Sequence, residues 1–138
     1  MESKFESSIR EIPYSQEAVY HKLSDLKLSE QVRDRLPEEQ RDEIIFDGES
    51  ITMSVPPVGS ISIRICDREE PKTIKYETVS APLPFNLWIQ LLPITDTSCK
   101  MKLTIKADLN PFVKGMISKP LKDGLEKLAD AIAAGHYE

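Results

Sequence analysis

Residues 110–135, NPFVKGMISKPLKDGLEKLADAIAAG, decide how this chain is read. Asn110 is a good helix N-cap. Pro111 suits the first helical position, where its missing N–H is an orphan in any case. Val113, Met116, Ile117, Leu121, Leu125, Leu128, Ala129 and Ile132 then recur at helical spacing. Lys114, Lys119, Lys122, Asp123, Glu126, Lys127 and Asp130 fill the opposite face. The spacing predicts one long amphipathic helix. An apolar stripe of that length needs a sheet to cover it, because loops present too little apolar surface.

The preceding residues supply that sheet. Ser98 to Leu109 alternates Lys100, Lys102, Thr104 and Lys106 outward with Met101, Leu103, Ile105 and Ala107 inward. Five more strands are predicted before it, at Glu43 to Phe46, Ser50 to Val55, Ser60 to Arg68, Thr73 to Ser80 and Phe85 to Leu92. Their connections are tight. Asp47-Gly48 is a hairpin signal, Pro56-Pro57 and Gly59 punctuate, and Glu69 to Lys72 is a turn. Pro82 and Pro84 remove two ladder donors and mark a bulge, an edge or a corner.

The first third adds one strand and two helices. Lys4 to Ile12 reads as a strand with Phe5, Ser7 and Ile9 on one face, ended by Pro13. Ser15 caps a helix over Gln16 to Asp25, with Tyr14 and Val19 as a hydrophobic staple. A second helix over Ser29 to Leu36 stops at Pro37, and PEEQRDE reads as a charged surface turn. The fold class is therefore α+β, in the order β-α-α-β6-α: an antiparallel seven-stranded sheet packed on a long final helix, in a single domain over 1–138.

Length and composition agree. At 138 residues, 40% hydrophobic and 30% charged, the chain has the balance of a globular domain. A net charge of -5, with scattered Lys and Arg, argues against nucleic acid as a partner. No apolar run has the roughly 18 residues of a membrane span. The beginning of the chain lacks the apolar centre of a signal peptide. Cys66 falls on the outward phase of its strand and Cys99 on the inward phase of its own. Opposite faces argue against a disulfide and fit a cytoplasmic location.

The order of elements resembles the helix-grip fold of the SRPBCC superfamily, which includes START lipid-transfer domains, polyketide cyclases and the birch pollen allergen family. The wording FESSIREIPYSQEAVYHKLSDL, PLPFNLWIQLLP and CKMKLTIKADLNPFVKGMISKPLKDGLEKLA is similar to a small SRPBCC group of Bacteroidetes. The resemblance implies that the sheet is curved around the helix, with a hydrophobic cavity between the two, in which superfamily members bind lipids, sterols or aromatic polyketides, and some close rings. It carries no catalytic residue onto this chain.

The residues themselves point toward binding. No GxGxxG, Walker loop, HExxH or GxSxG is present, and no metal-ligand spacing. No cofactor is implied. The inward strand positions are apolar apart from Tyr76, Thr78 and Ser7. General acid–base chemistry needs a titratable group at the substrate. The two histidines do not supply one, because His21 points to water on a short helix and His136 lies past the long one. The expected cavity lining is Met53, Ile63, Tyr76, Thr78, Leu87, Trp88, Ile89, Met101, Leu103, Phe112, Met116, Ile117, Pro120 and Leu121. Two alternatives are a cyclase or aromatase with Tyr76 and His21 as proton carriers, and a cavity-less interaction module.

Three features decide among them. Met53, Met101 and Met116 either adapt to variable ligands or fill core gaps. Pro120 either kinks the helix and opens a mouth or follows the curve of the sheet. Trp88 either faces out as a contact patch, as a monomer or weak homodimer would carry, or turns inward if the Pro82–Pro84 segment shifts the register.

Overall fold

The computed structural model describes residues 2–41, 44–47, 49–55, 59–81 and 83–137. Glu43, Gly48 of the hairpin signal, Pro56-Pro57 and Pro82 lie outside the described residues, as does the side chain of Val55.

The chain begins with β1 (Glu2–Glu6) and β2 (Arg10–Ile12). Two helices follow, α1 (Gln16–Leu23) and α2 (Leu26–Asp34), and one further turn of helix, α3 (Glu38–Arg41). Six strands come next: β3 (Ile44–Asp47), β4 (Ser50–Val55), β5 (Gly59–Glu69), β6 (Thr73–Ser80), β7 (Phe85–Thr95) and β8 (Ser98–Asp108). The long helix α4 (Pro111–Ala133) completes the order. The sheet is ordered β1-β8-β7-β6-β5-β4-β3, antiparallel throughout, with β2 also pairing β8. It curves around α4 in the helix-grip arrangement.

The single first strand expected over Lys4 to Ile12 is two strands. Glu6 pairs Thr104 and Arg10 pairs Met101, so pairing resumes one residue out of step. Such a bulge re-aims the side chains beyond it. Phe5 and Ser7 are buried, but Ile9 is 61% exposed instead of inward. Ser7 fills the break: its N–H donates to the Leu103 carbonyl, and its hydroxyl accepts from the Leu103 N–H, both at 2.9 Å.

The helical elbow also differs from its expected limits. Ser15 caps α1 as anticipated, accepting from the Ala18 N–H at 3.1 Å. The second helix, however, starts at Leu26, because Asp25 caps it by accepting from the Lys27 N–H at 2.9 Å. Ser29, expected at that boundary, is a buried strut whose hydroxyl donates to Lys22 and Leu23 carbonyls at 2.8 and 3.2 Å. The charged segment after Pro37 begins with the single turn α3 rather than a simple turn.

Asn110 caps α4, accepting from the Val113 N–H at 2.8 Å. The helix then runs through Pro120 without a break for 23 residues, about 34 Å at 1.5 Å per residue. Leu121, Leu125, Ala129 and Ile132 are buried, while Phe112 is 77% and Met116 62% exposed. Each residue advances about 100° around a helix with 3.6 residues per turn, so Phe112 and Met116 stand one step off the stripe of Val113, Ile117, Leu121 and Leu125.

One edge of α4 is clamped to the β1–β2 break. Glu126 accepts from the Ser8 N–H at 2.5 Å, the Ser8 hydroxyl at 2.8 Å and Arg10 at 3.2 Å, and Arg10 also pairs with Asp130. The Ser8 donors, then Arg10, hold the Glu126 carboxyl below the usual carboxylate range. A folded-state pKa below the unfolded one stabilises above the unfolded pKa and is lost as pH falls through the folded one. Arg10→Ala is therefore expected to cost about 1 kcal/mol near neutral pH and less in acid or high salt. Urea melts at two pH values check this. An equal cost at both would show that the guanidinium acts by packing alone.

Candidate functional site

An apolar crevice lies between the sheet, the elbow and the last turns of α4. Its floor is Ile51 and Met53 of β4, Ile63 of β5, Tyr76 of β6, and Leu87 and Ile89 of β7. Strand alternation puts these on one face, because side chains at i and i+2 point the same way. Tyr76 sits opposite Leu87 in a regular β6–β7 register, and Ile63 sits opposite Thr78 in a stretch of β5 bounded by register shifts at Ser62/Ile63 and Ile65/Asp67. Val32 and Arg33 of α2, with Leu36 just beyond its end, form one wall, with Ile44 and Phe46 of β3 beside them. Leu128, Ala131 and Ile132 of α4 form the roof, and Tyr137 enters from the segment beyond it.

The crevice measures about 60 Å³. A smaller void of about 30 Å³ lies under Leu121, Gly124 and Leu125 of α4. Met53, Leu87 and Leu128 line both spaces. Pockets that hold drug-sized ligands run to about 300–1,000 Å³, and a designed cavity of about 150 Å³ admits benzene. As it stands, the crevice is smaller than either.

Its polar groups are few. Burial holds the Tyr76 phenol well above its ordinary value, partly opposed by the Arg68 charge. Tyr137 is shifted the same way, by burial first and then by Tyr76 and Cys99. Both hydroxyls thus remain protonated as donors. Tyr137 donates to the Ile132 carbonyl at 2.6 Å. Arg33 donates to the Ile44 carbonyl at 3.1 Å, pairs with Asp34 at 2.8 Å and stands 5.7 Å from the centre of the Phe46 ring. Its Nε–H is buried and has no acceptor among the described residues. No Asp, Glu or His lines the crevice among the described residues, and His21 is exposed on α1. Among the described residues, no group of His, Cys, Asp and Glu is arranged to hold a metal. No described helix is long and apolar enough to cross a membrane.

The structure brings together Met53, Ile63, Tyr76, Leu87 and Ile89 in the crevice, and Leu121 beside the smaller void. Met101 and Leu103 are packed into the solid core at 1% and 0% exposure. Thr78 is half-buried on β6 opposite Ile63 but does not itself line the crevice, and Ile117 is half-buried in the docked stripe of α4. Phe112 and Met116 face solvent. Pro120 is not part of the crevice lining; it borders an outer groove with Ser54 of β4, Lys119, Asp123, Gly124 and Lys127. Trp88 lies on the outer face, since Lys75 pairs opposite it and the register has not shifted. Lys75 and Lys106 cover its ring at 5.4 and 5.5 Å, so it is not a bare apolar patch. Cys66 is exposed and Cys99 buried, both free, and burial pushes the Cys99 thiol up to about 11.

Sequence reasoning missed the α2 wall, Phe46, the roof and Tyr137. The roof residues were visible as apolar helix positions. The one signal for Tyr137 was an aromatic just past the helix-ending Gly135.

No protein-family model and no curated protein matches the sequence. Solved structures do match. Norcoclaurine synthase from Thalictrum flavum superposes with a TM-score of 0.72 at 20% identity, over 96% of this chain and 85% of that one. The same enzyme has been solved with dopamine and hydroxybenzaldehyde. A START superfamily protein from Mycobacterium smegmatis gives a TM-score of 0.65 at 14% identity, over 96% and 94%. At these identities the likeness is one of fold. The chain has the helix-grip fold, the one expected from its resemblance to the SRPBCC superfamily.

Proposed function

We propose that this chain holds a small hydrophobic or amphipathic molecule in the crevice between the sheet and α4. The observation that carries the reading is the lining: an apolar wall from five strands and three helices, interrupted by Arg33, Ser29 and two tyrosine hydroxyls. The helix-grip neighbours support it, one of them solved with small aromatic molecules.

Size narrows the ligand. A sterol or acyl chain exceeds the space of about 60 Å³. A single aromatic group needs only a local opening at Met53, Leu128 and Tyr137. Burying about 150 Å² of such a ring at about 25 cal/mol per Å² gives roughly 4 kcal/mol before the cost of association. Apolar burial alone therefore gives weak binding. The Arg33 Nε–H and the Tyr76 hydroxyl would add the polar contacts that orient an amphipathic molecule.

Native mass spectrometry of protein made in its own host, followed by solvent extraction, is expected to release one apolar or amphipathic molecule per chain. Protein that carries none, and leaves an added panel of lipids and small aromatics unbound, would sink the reading. A second reading, an interaction module that works through its exterior, is favoured by the small voids and by exposed Phe112 and Met116. Light scattering that shows a dimer lost in Phe112→Lys would support it.

A further inference from the structure

We propose that Tyr137 is an internal plug, seated where a phenol-sized ligand binds, and that ligand entry requires the segment after α4 to swing out. This rests on the ligand-holding reading above and adds the occupant and the gate. Tyr137 is 1% exposed although it lies outside every helix and strand. Tyr137 lines the crevice together with Tyr76 and Ile132, and its ring meets the half-buried Tyr14 edge-on at 5.8 Å. Its hydroxyl is satisfied by the Ile132 carbonyl at 2.6 Å. The socket thus already accommodates a para-substituted phenol and offers it an acceptor.

The ring is carried on a short segment beyond the end of α4. Ala134 and Gly135 make the helix-ending bonds to Asp130 and Ile132 carbonyls, and His136 is exposed. Gly135 is packed so closely that a Cβ there would lie 2.7 Å from both the Tyr137 hydroxyl and a Val32 methyl. The seated ring therefore depends on glycine at that position.

Volume makes the same case. The empty crevice, about 60 Å³, is too small for a benzene-sized ring, which a cavity of about 150 Å³ admits. Withdrawing the Tyr137 ring adds the space of one such ring to the crevice. A phenol that takes its place regains the same apolar contacts and the same hydrogen bond. The exchange is then set by concentration, with the tethered ring acting as a competitor. The apparent Kd is the intrinsic one divided by the open fraction, so an open fraction of a tenth weakens binding about tenfold.

The test is a titration of wild type, Tyr137→Ala and Gly135→Ala with 4-methylphenol, which is the tyrosine side chain alone. Circular dichroism and a cooperative melt first establish that each is folded. Both variants are expected to bind at least about tenfold more tightly than wild type. In wild type with ring-labelled tyrosine, saturating probe is expected to move the Tyr137 signals to solvent-exposed positions. This arm needs no substitution, so it decides the matter even if a variant unfolds. Equal affinity in all three proteins, or binding that leaves the Tyr137 ring in place, overturns the plug but leaves a ligand-holding crevice standing. No binding to any of them also overturns the plug, and the extraction experiment then judges the broader reading on its own.

Discussion

Leu125→Ala is expected to lower the unfolding free energy by about 2–5 kcal/mol, the range for removing a buried leucine side chain from a packed core. At about 2.1 cal/mol/K of unfolding entropy per residue, that is a fall in Tm of roughly 7–17 °C. Leu125 is 3% exposed and faces the sheet beside the void it shares with Leu121 and Ile105. Phe112→Ala, on the same helix, is expected to change stability by no more than about 0.5 kcal/mol, because its ring stands in solvent. Thermal melts of the two variants side by side check this. Comparable losses would mean that the first half of α4 is packed as firmly as the second.

The second large effect is alkaline. Desolvation is the main cause that raises the phenols of Tyr76 and Tyr137, and it raises Tyr20 in the same direction. Unfolded tyrosines titrate near pH 10. Above that value the unfolded chain releases protons that the folded chain keeps, so stability falls as pH rises. Below it, the contribution is fully present. Two buried phenols give a slope of about 2.7 kcal/mol per pH unit, and one gives about 1.4. Cys99, pushed from 9.0 to about 11, adds a loss of the same sign beginning about one pH unit lower. Urea midpoints through the alkaline range measure the slope, and Tyr76→Phe and Tyr137→Phe should each flatten it. An unchanged slope in Tyr137→Phe would place that ring in water.

Much of this architecture could be read from residue order, and the reasons are local. The alternation of Lys100 to Lys106 with Met101 to Ala107 is clear because the inward face of β8 packs on the core, although Thr104 on the outward phase is also buried, donating to Gln90 at 3.1 Å. Asn110 and Pro111 mark the start of α4 by backbone chemistry that no tertiary contact reverses. The failures arose where two local signals competed or where distance in sequence hid a partner. Asp25, read as the last residue of the first helix, instead caps α2, so α2 starts three residues before Ser29, whose hydroxyl became a strut between helices. Ile9 was assigned inward because a one-residue bulge leaves no mark in composition.

The candidate site was half legible for the same reason. The strand floor follows from alternation, so Met53, Ile63, Tyr76, Leu87 and Ile89 could be assigned from sequence. The helix side could not. Apolar residues at 112, 113, 116 and 117 cover a broad arc of α4, and only the position of the sheet selects which of them dock. The crevice consequently lies under Leu128 to Ile132, farther along the helix than the segment around Pro120.

The break between β1 and β2 has a bearing on association. A strand at the margin of a sheet offers unpaired amides and carbonyls to any neighbouring chain, and natural proteins blunt such margins with bulges and charge. Here α4 reaches over the rim: Glu126 takes the Ser8 amide, and Lys122 donates to the Glu6 carbonyl. The helix that covers the interior thereby also seals this border, and a second molecule finds no free ladder at the break on which to add a strand.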